Sequence, residues 1–121
     1  MPRLGREAVA RIVAIMQSEG LTAKVSSIHV NGWFGGYDKL STTRLALAED
    51  FGIDVEREKD RLVFVGDSPN DQPMFAFFPN AIGVANVREM ADLMQALPRY
   101  VAPSCGSAGF AEVAEAILAA R

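Results

Sequence analysis

Asp67, Asn70 and Asp71 stand within five residues of one another, in the run Leu62-Val63-Phe64-Val65-Gly66-Asp67-Ser68-Pro69-Asn70-Asp71. Two carboxylates divided by a tight turn, with an amide beside the second, suit a hard divalent cation. Magnesium takes oxygen ligands in a near-octahedral array, one or two of them carboxylates, and leaves its other positions to water and phosphate. Taken singly, the same residues have plainer roles, Asp67 closing a strand and Asp71 capping a helix. Lys39 is the cation that draws notice. It falls in the first turn of an expected helix, where the dipole disfavours positive charge by about 0.3 kcal/mol or more, although a solvated surface lysine is the plainer role there too.

The elements that must position these groups are legible around them. Leu62 to Val65 is an unbroken apolar run entered from the charged segment Glu56 to Arg61 and left through Gly66, the pattern of a strand buried on both faces of a parallel sheet. Asp67 then lies beyond the carboxyl end of a strand, where open α/β sheets gather their ligands. Ser68-Pro69-Asn70 makes a turn, and Asp71 is placed to cap a helix from Gln72 to Phe78, with Pro73 tolerated in its first turn. Asp38 is the predicted N-cap of a helix from Lys39 to about Phe51, with Leu40, Leu47, Ala48 and Phe51 on one face and Gly52 as its stop.

On either side, periodicity predicts the remaining elements. Val9, Ile12, Val13 and Met16 recur at helical spacing over Arg6 to Glu19, and Gly20 ends that helix. Leu21 to Val30 alternates loosely, which predicts one or two strands, as a hairpin pivoting near Ser26-Ser27. The glycine-dense segment Asn31 to Gly36 reads as a boundary between structural units, with Trp33 and Phe34 as packing residues. His29 has no Cys, His or carboxylate at metal-ligand spacing and reads as structural. Downstream, Ala81 to Ala85 is a short strand, and Asn86 caps a helix reaching about Leu97, ended by Pro98. Arg99 to Ala102 is another strand, and Phe110 to Leu118 a last helix with Phe110, Val113, Ala114, Ile117 and Leu118 inward. Alternating helices and strands predict an α/β fold with parallel strands and right-handed crossovers.

With 121 residues, half of them hydrophobic, the chain is about one domain and can bury a real core. A formal charge of −3 and scattered basic residues argue against nucleic-acid binding through phosphate neutralisation. The single cysteine, Cys105, excludes an intrachain disulfide and fits a reducing compartment. No apolar run has membrane-spanning length, and Met1-Pro2-Arg3-Leu4-Gly5 lacks the hydrophobic segment of a signal peptide. The expected location is the cytoplasm, without membrane contact.

Gly66-Asp67-Ser68-Pro69-Asn70-Asp71 after a hydrophobic strand closely resembles the fourth motif, GDxxND, of the haloacid dehalogenase (HAD) superfamily of phosphatases. Gly35-Gly36-Tyr37-Asp38-Lys39 before a helix resembles the third motif. Val84-Ala85-Asn86 and the closing loop and helix around Gly109-Phe110 resemble the tail of the cap-bearing sugar-phosphate phosphatase branch, and Arg6 to Val30 match the end of its cap. The resemblance implies a partial HAD-like Rossmannoid parallel sheet with flanking helices over residues 35–121, preceded by a cap remnant of a helix and one or two strands over residues 1–34. It implies Mg2+ as cofactor and a small phosphorylated substrate. By motif, Lys39 is the point cation that orients the nucleophile and phosphate. Asp67 ligates magnesium, Asn70 helps fix the site, and Asp71 holds a metal-bound water or steadies Lys39.

The nucleophile of that family is an aspartate in a first motif, Asp-x-Asp-Gly-Thr after an apolar strand, and no aspartate here matches it. Asp54-Val55-Glu56 has the closest spacing, without the strand before it or the glycine and threonine after it. The second motif, a Ser or Thr ending a strand, has no candidate either. The expectation is therefore the C-terminal part of such a phosphatase, inactive by itself and weak in magnesium, with Met1 an internal start, a truncated frame or the edge of a cloned piece. Without the first-motif strand, Leu62 to Val65 would lie at a sheet edge and invite pairing, so a homo-oligomer is expected. The competing reading is a non-catalytic assembly or regulatory module that self-associates, or pairs with a partner chain, through that edge. A P-loop nucleotide site fits poorly, because no glycine directly precedes Lys39.

Overall fold

A glycine-dense segment followed by a strong helix cap is a natural place for the chain to divide. The computed structural model describes residues 4–26 and 28–121, which form two compact units separated between Tyr37 and Asp38.

In the first unit α1 (Arg6–Ser18) is followed by Gly20, whose φ of +84° is the left-handed conformation that ends helices at little cost to glycine. Its half-buried face is Val9, Ile12, Val13 and Met16, as the spacing predicts. β1 (Thr22–Val25) and β2 (Val30–Trp33) pair antiparallel, with Ala23 opposite Gly32. Ser26 and His29 close the turn, the Ser26 N–H donating to the His29 carbonyl (2.8 Å) and the His29 N–H to Ser26 Oγ (3.2 Å). The other half of the expected pivot, Ser27, lies outside the described residues. β2 runs into the segment expected as a boundary between units. Gly32 is a strand residue opposite Ala23, and a Cβ there would stand 3.0 Å from the Leu21 and Met16 side chains, so the close packing of this strand on α1 favours glycine. Trp33 is half-buried, and its indole N–H donates to the Tyr37 carbonyl (2.9 Å). Phe34, expected to pack, is 68% exposed, since one helix on a two-stranded hairpin gives this unit little interior.

The second unit is mixed α/β. α2 (Lys39–Phe51) has the expected bounds. The Asp38 carboxylate accepts from the Ser41 N–H (2.7 Å), the Asp38 N–H donates to Ser41 Oγ (2.9 Å), and Gly52 stops the helix at φ +65°. α3 (Val55–Glu58) and a 3-10 turn over Lys59–Arg61 lead to β3 (Phe64–Gly66). A 3-10 turn over Pro69–Asp71 and α4 (Gln72–Phe77) lead to β4 (Ala81–Gly83). The 3-10 segment Ala85–Leu93, β5 (Tyr100–Val101) and α5 (Gly106–Ala119) complete the unit. The sheet order is β3-β4-β5, all parallel, with Phe64 opposite Ala81 and Ile82 opposite Tyr100.

The core joins Val55, Met74, Phe75, Phe78, Ala81, Val87 and Met94, with Leu40, Leu47 and Phe64 packed against it. Burying each of the large side chains stabilises the unit by about 1.5–3 kcal/mol. Phe64 meets Phe75 edge-on at 5.7 Å between ring centroids and stacks on Phe78 at 6.2 Å, which anchors β3 over α4.

Several expectations are corrected here. The central strand is β4, with Ala81 wholly buried and Ile82 half-buried, whereas β3 is shorter than Leu62–Val65 suggested and sits at the end of the sheet, Val63 being 43% exposed. On α2, Leu40 and Leu47 face inward, but Ala48 and Phe51 are exposed, because α4 is about 9 Å long against about 20 Å for α2 and covers only part of it. On α5, Val113 is buried and Ala114 half-buried, while Phe110, Ile117 and Leu118 are exposed, since strands of two and three residues back only the helix's middle. The expected α-helix from Asn86 to Leu97 is a 3-10 segment ending at Leu93, because the Asn86 side chain accepts from the Gly106 N–H (2.9 Å) and caps nothing.

Candidate functional site

The carboxyl end of β3 brings together residues far apart in sequence. α2 begins beside it, so its first-turn lysine, Lys39, reaches across, and its ammonium donates to Asp71 Oδ1. The Lys39 side chain is 46% exposed and that of Asp71 only 4%. A buried carboxylate paired with a half-solvated ammonium offsets the unfavourable end of the α2 dipole and leaves the lysine's remaining N–H bonds to solvent or an anion.

The other carboxylate oxygen of Asp71 turns back on its own chain. Asp71 Oδ2 accepts from the Asp67 N–H (2.9 Å) and the Ser68 N–H (3.3 Å). Asp71 therefore does not cap α4 with its side chain, as the sequence suggests; it ties the loop leaving β3 and holds Lys39. Gly66 makes this possible. A Cβ on Gly66 would lie 2.7 Å from Asp71 Oδ2, 2.8 Å from its Cγ and 2.9 Å from the Phe64 ring, so the glycine is required by the space the carboxylate occupies and not by its backbone conformation. Ser68, 2% exposed, donates from Oγ to Asn70 Oδ1 (2.5 Å), which leaves Asn70 engaged within the turn.

Asp67 is different. It is half-buried, and its carboxylate has no hydrogen-bond or ion-pair partner among the described residues. Of the three side chains considered for a metal, it is the one whose oxygens are open. Asn70 and both oxygens of Asp71 already have protein partners, and the described residues contain no cluster of three or more His, Cys, Asp or Glu side chains able to hold a metal. The donor set thus offers magnesium a single open carboxylate, compatible with its preference for one or two carboxylates plus water and phosphate but not a site in itself.

Sequence reasoning missed two supports. Gln72 Oε1 accepts from the Gln95 N–H (2.7 Å) and Ala96 N–H (3.3 Å) while its Nε2 donates to the Pro69 carbonyl (3.1 Å), fastening the acidic turn to the segment after Leu93. At the neighbouring strand ends, Glu112 accepts from the Ser104 N–H (3.1 Å) and hydroxyl (2.5 Å), and a Cβ at Gly109 would come 2.2 Å from the Ser104 carbonyl oxygen. No local pattern signals either residue, because Gln72 takes N–H groups 23 and 24 residues on and Glu112 reaches back from its helix across a loop to Ser104.

Elsewhere the acidic pair nearest in spacing to a first motif is occupied. Asp54 caps α3 by accepting from the Glu56 N–H (3.1 Å) and pairs with Arg57, and Glu56 pairs with Arg44 at 2.7 Å. Two surface grooves, one along Arg44, Ala48 and Val55 and one along Ile82, Val113 and Ala116, include none of Lys39, Asp67, Asn70 or Asp71. Cys105 is a free, exposed thiol. No described helix is long and apolar enough to cross a membrane. Compared with protein-family models, curated proteins and solved structures, the chain matches none.

Proposed function

We propose that residues 38–121 are the lysine-and-acid half of a HAD-type phosphatase core that acts on a sugar phosphate or similar small phosphomonoester, and that this half is inactive without a stretch supplying the nucleophilic aspartate. The observation that carries this reading is one juxtaposition. The Lys39 ammonium rests on the Asp71 carboxylate while the Asp67 carboxylate stays open, all beyond the carboxyl end of a parallel strand. Magnesium, when bound, would screen phosphate charge and orient its oxygens. In this chain Asp67 would hold it, Lys39 would balance the phosphoryl oxygens as a point charge, and Asp71 would position Lys39. Asn70 would keep the turn in shape through Ser68.

The test is magnesium-dependent hydrolysis of an aryl phosphate, by the chain alone and by the same chain joined to its in-frame upstream coding sequence. The chain alone should be silent. The longer protein should carry an Asp-x-Asp-Gly-Thr strand and hydrolyse the ester, with activity lost in Asp67→Ala and Lys39→Ala. An upstream sequence without that strand, or turnover that survives Asp67→Ala, sinks the reading.

A second reading has its own observation. One edge of β3 is unpaired among the described residues, which favours an assembly module pairing through that edge.

A further inference from the structure

Prolines on either side leave the acidic turn with little backbone to hold it. Pro69 and Pro73 carry no N–H, and the turn is a single 3-10 turn closed by the Asp71 N–H on the Ser68 carbonyl (2.9 Å) and the Gln72 N–H on the Pro69 carbonyl. α4, which follows it, has only six residues and adds little stiffness of its own. Side chains supply what the backbone lacks. From within the turn, Asp71 Oδ2 accepts from the Asp67 N–H (2.9 Å) and the Ser68 N–H (3.3 Å). From its far end, the Gln72 amide reaches chain 23 residues on. Its Oε1 accepts from the Gln95 N–H (2.7 Å) and the Ala96 N–H (3.3 Å), while its Nε2 donates to the Pro69 carbonyl (3.1 Å). Both ends of the amide are in use. Glutamate would keep the acceptor and lose the donor, and methionine, of similar length, matches neither.

We infer that Gln72 is a positioning residue for the open Asp67 carboxylate, clamping the turn that presents it to the backbone of Gln95 and Ala96. Gln72 fixes the Pro69 carbonyl, Pro69 begins the turn that ends at Asp71, and Asp71 holds the N–H of Asp67. The Asp67 side chain has no protein partner of its own, so its placement comes from its backbone. A cation held by one protein carboxylate has no second protein ligand to correct a misplaced first, which makes its affinity sensitive to whatever fixes that backbone. The inference rests on the assignment of Asp67 to magnesium in the proposed phosphatase half, and adds to it a residue that touches neither metal nor phosphate.

The experiment titrates magnesium chloride into the isotope-labelled full chain at constant ionic strength. It reads the initial slope of the amide shifts at Gly66 and Ser68, with circular dichroism to check folding. The parent should show a shift that Asp67→Asn removes. Gln72→Met should lower the slope about tenfold. Gln95→Pro should lower it similarly from the other end of the clamp by deleting an N–H donor; Met94 before it already has φ −118° and ψ 134°, the extended conformation that a following proline favours. The double variant should fall little further, because either change opens the same clamp. Val113→Ala, a cavity at a buried position of α5, should lower the melting temperature yet leave the slope within about twofold, which separates positioning from general loosening.

A parent without the shift, or a shift that survives Asp67→Asn, overturns the metal assignment and this inference with it. A shift that needs Asp67 but is unmoved by Gln72→Met and Gln95→Pro overturns the inference alone. So does a slope that falls as far in Val113→Ala, or a double variant that falls by the product of the single effects. Should Gln72→Met fail to fold, Gln95→Pro against Val113→Ala still decides.

Discussion

Lys39 and Asp71, 32 residues apart in sequence, form an ion pair in which the carboxylate is almost wholly buried and the ammonium half in water. That asymmetry sets what each residue does. Asp71 is the fixed member, held through its second oxygen by the N–H groups of Asp67 and Ser68, and Lys39 is the member free to meet something else. The pair thus connects a helix start to a strand end.

Asp71→Ala removes the acceptor for two backbone N–H groups and for Lys39, so it should cost about 2–4 kcal/mol in urea unfolding. Lys39→Met should cost less, about 1 kcal/mol, because the ammonium is half-solvated and Asp71 retains its backbone donors. A double-mutant cycle should return a coupling of about 1 kcal/mol, and strict additivity would show that the two side chains do not interact.

Gly66→Ala pushes a methyl group against the Asp71 carboxylate and the Phe64 ring, and an expected loss of about 1–3 kcal/mol follows from overpacking. The diagnostic comparison is the same substitution made in Asp71→Ala, where the carboxylate is gone and the penalty should shrink. An equal penalty in both backgrounds would mean that the glycine is needed for some reason other than this contact.

Asp67→Asn should leave thermal stability at low protein concentration within about 0.5 kcal/mol of the parent, since the Asp67 side chain makes no contact that the substitution breaks. The same change should abolish whatever magnesium response the chain shows by NMR shift perturbation. Shifts that persist at Gly66 and Ser68 on adding magnesium to the variant would move the metal elsewhere.

Glu112→Ala leaves the Ser104 N–H and hydroxyl without their acceptor and should cost about 1–2 kcal/mol. Gly109→Ala should cost more, because its methyl group would press on backbone, which cannot rotate away as a side chain can. Hydrogen exchange at the Ser104 amide should quicken in Glu112→Ala before global stability changes much.

Edges and ends that depend on near neighbours were readable from the residues alone. α2 runs from Lys39 to Phe51, as expected, because Asp38 and Ser41 cap each other within three residues and Gly52 supplies the left-handed turn unaided. Parallel α/β order, the hairpin before the glycine-rich segment and the position of Asp67 past a strand all follow from local pattern. What the fold alone decided is which acceptor each polar side chain serves. Asp71 looked like the cap of α4 and instead binds Lys39 and its own preceding loop; Asn86 looked like a cap and instead takes the Gly106 N–H. The same holds for burial, where Phe51, Phe110 and Leu118 carry the right periodicity yet face outward. A cap is chosen among donors a few residues away, so the sequence contains the whole contest. Partners across tens of residues are chosen by how strands and helices are stacked, and only the assembled chain brings those competitors together.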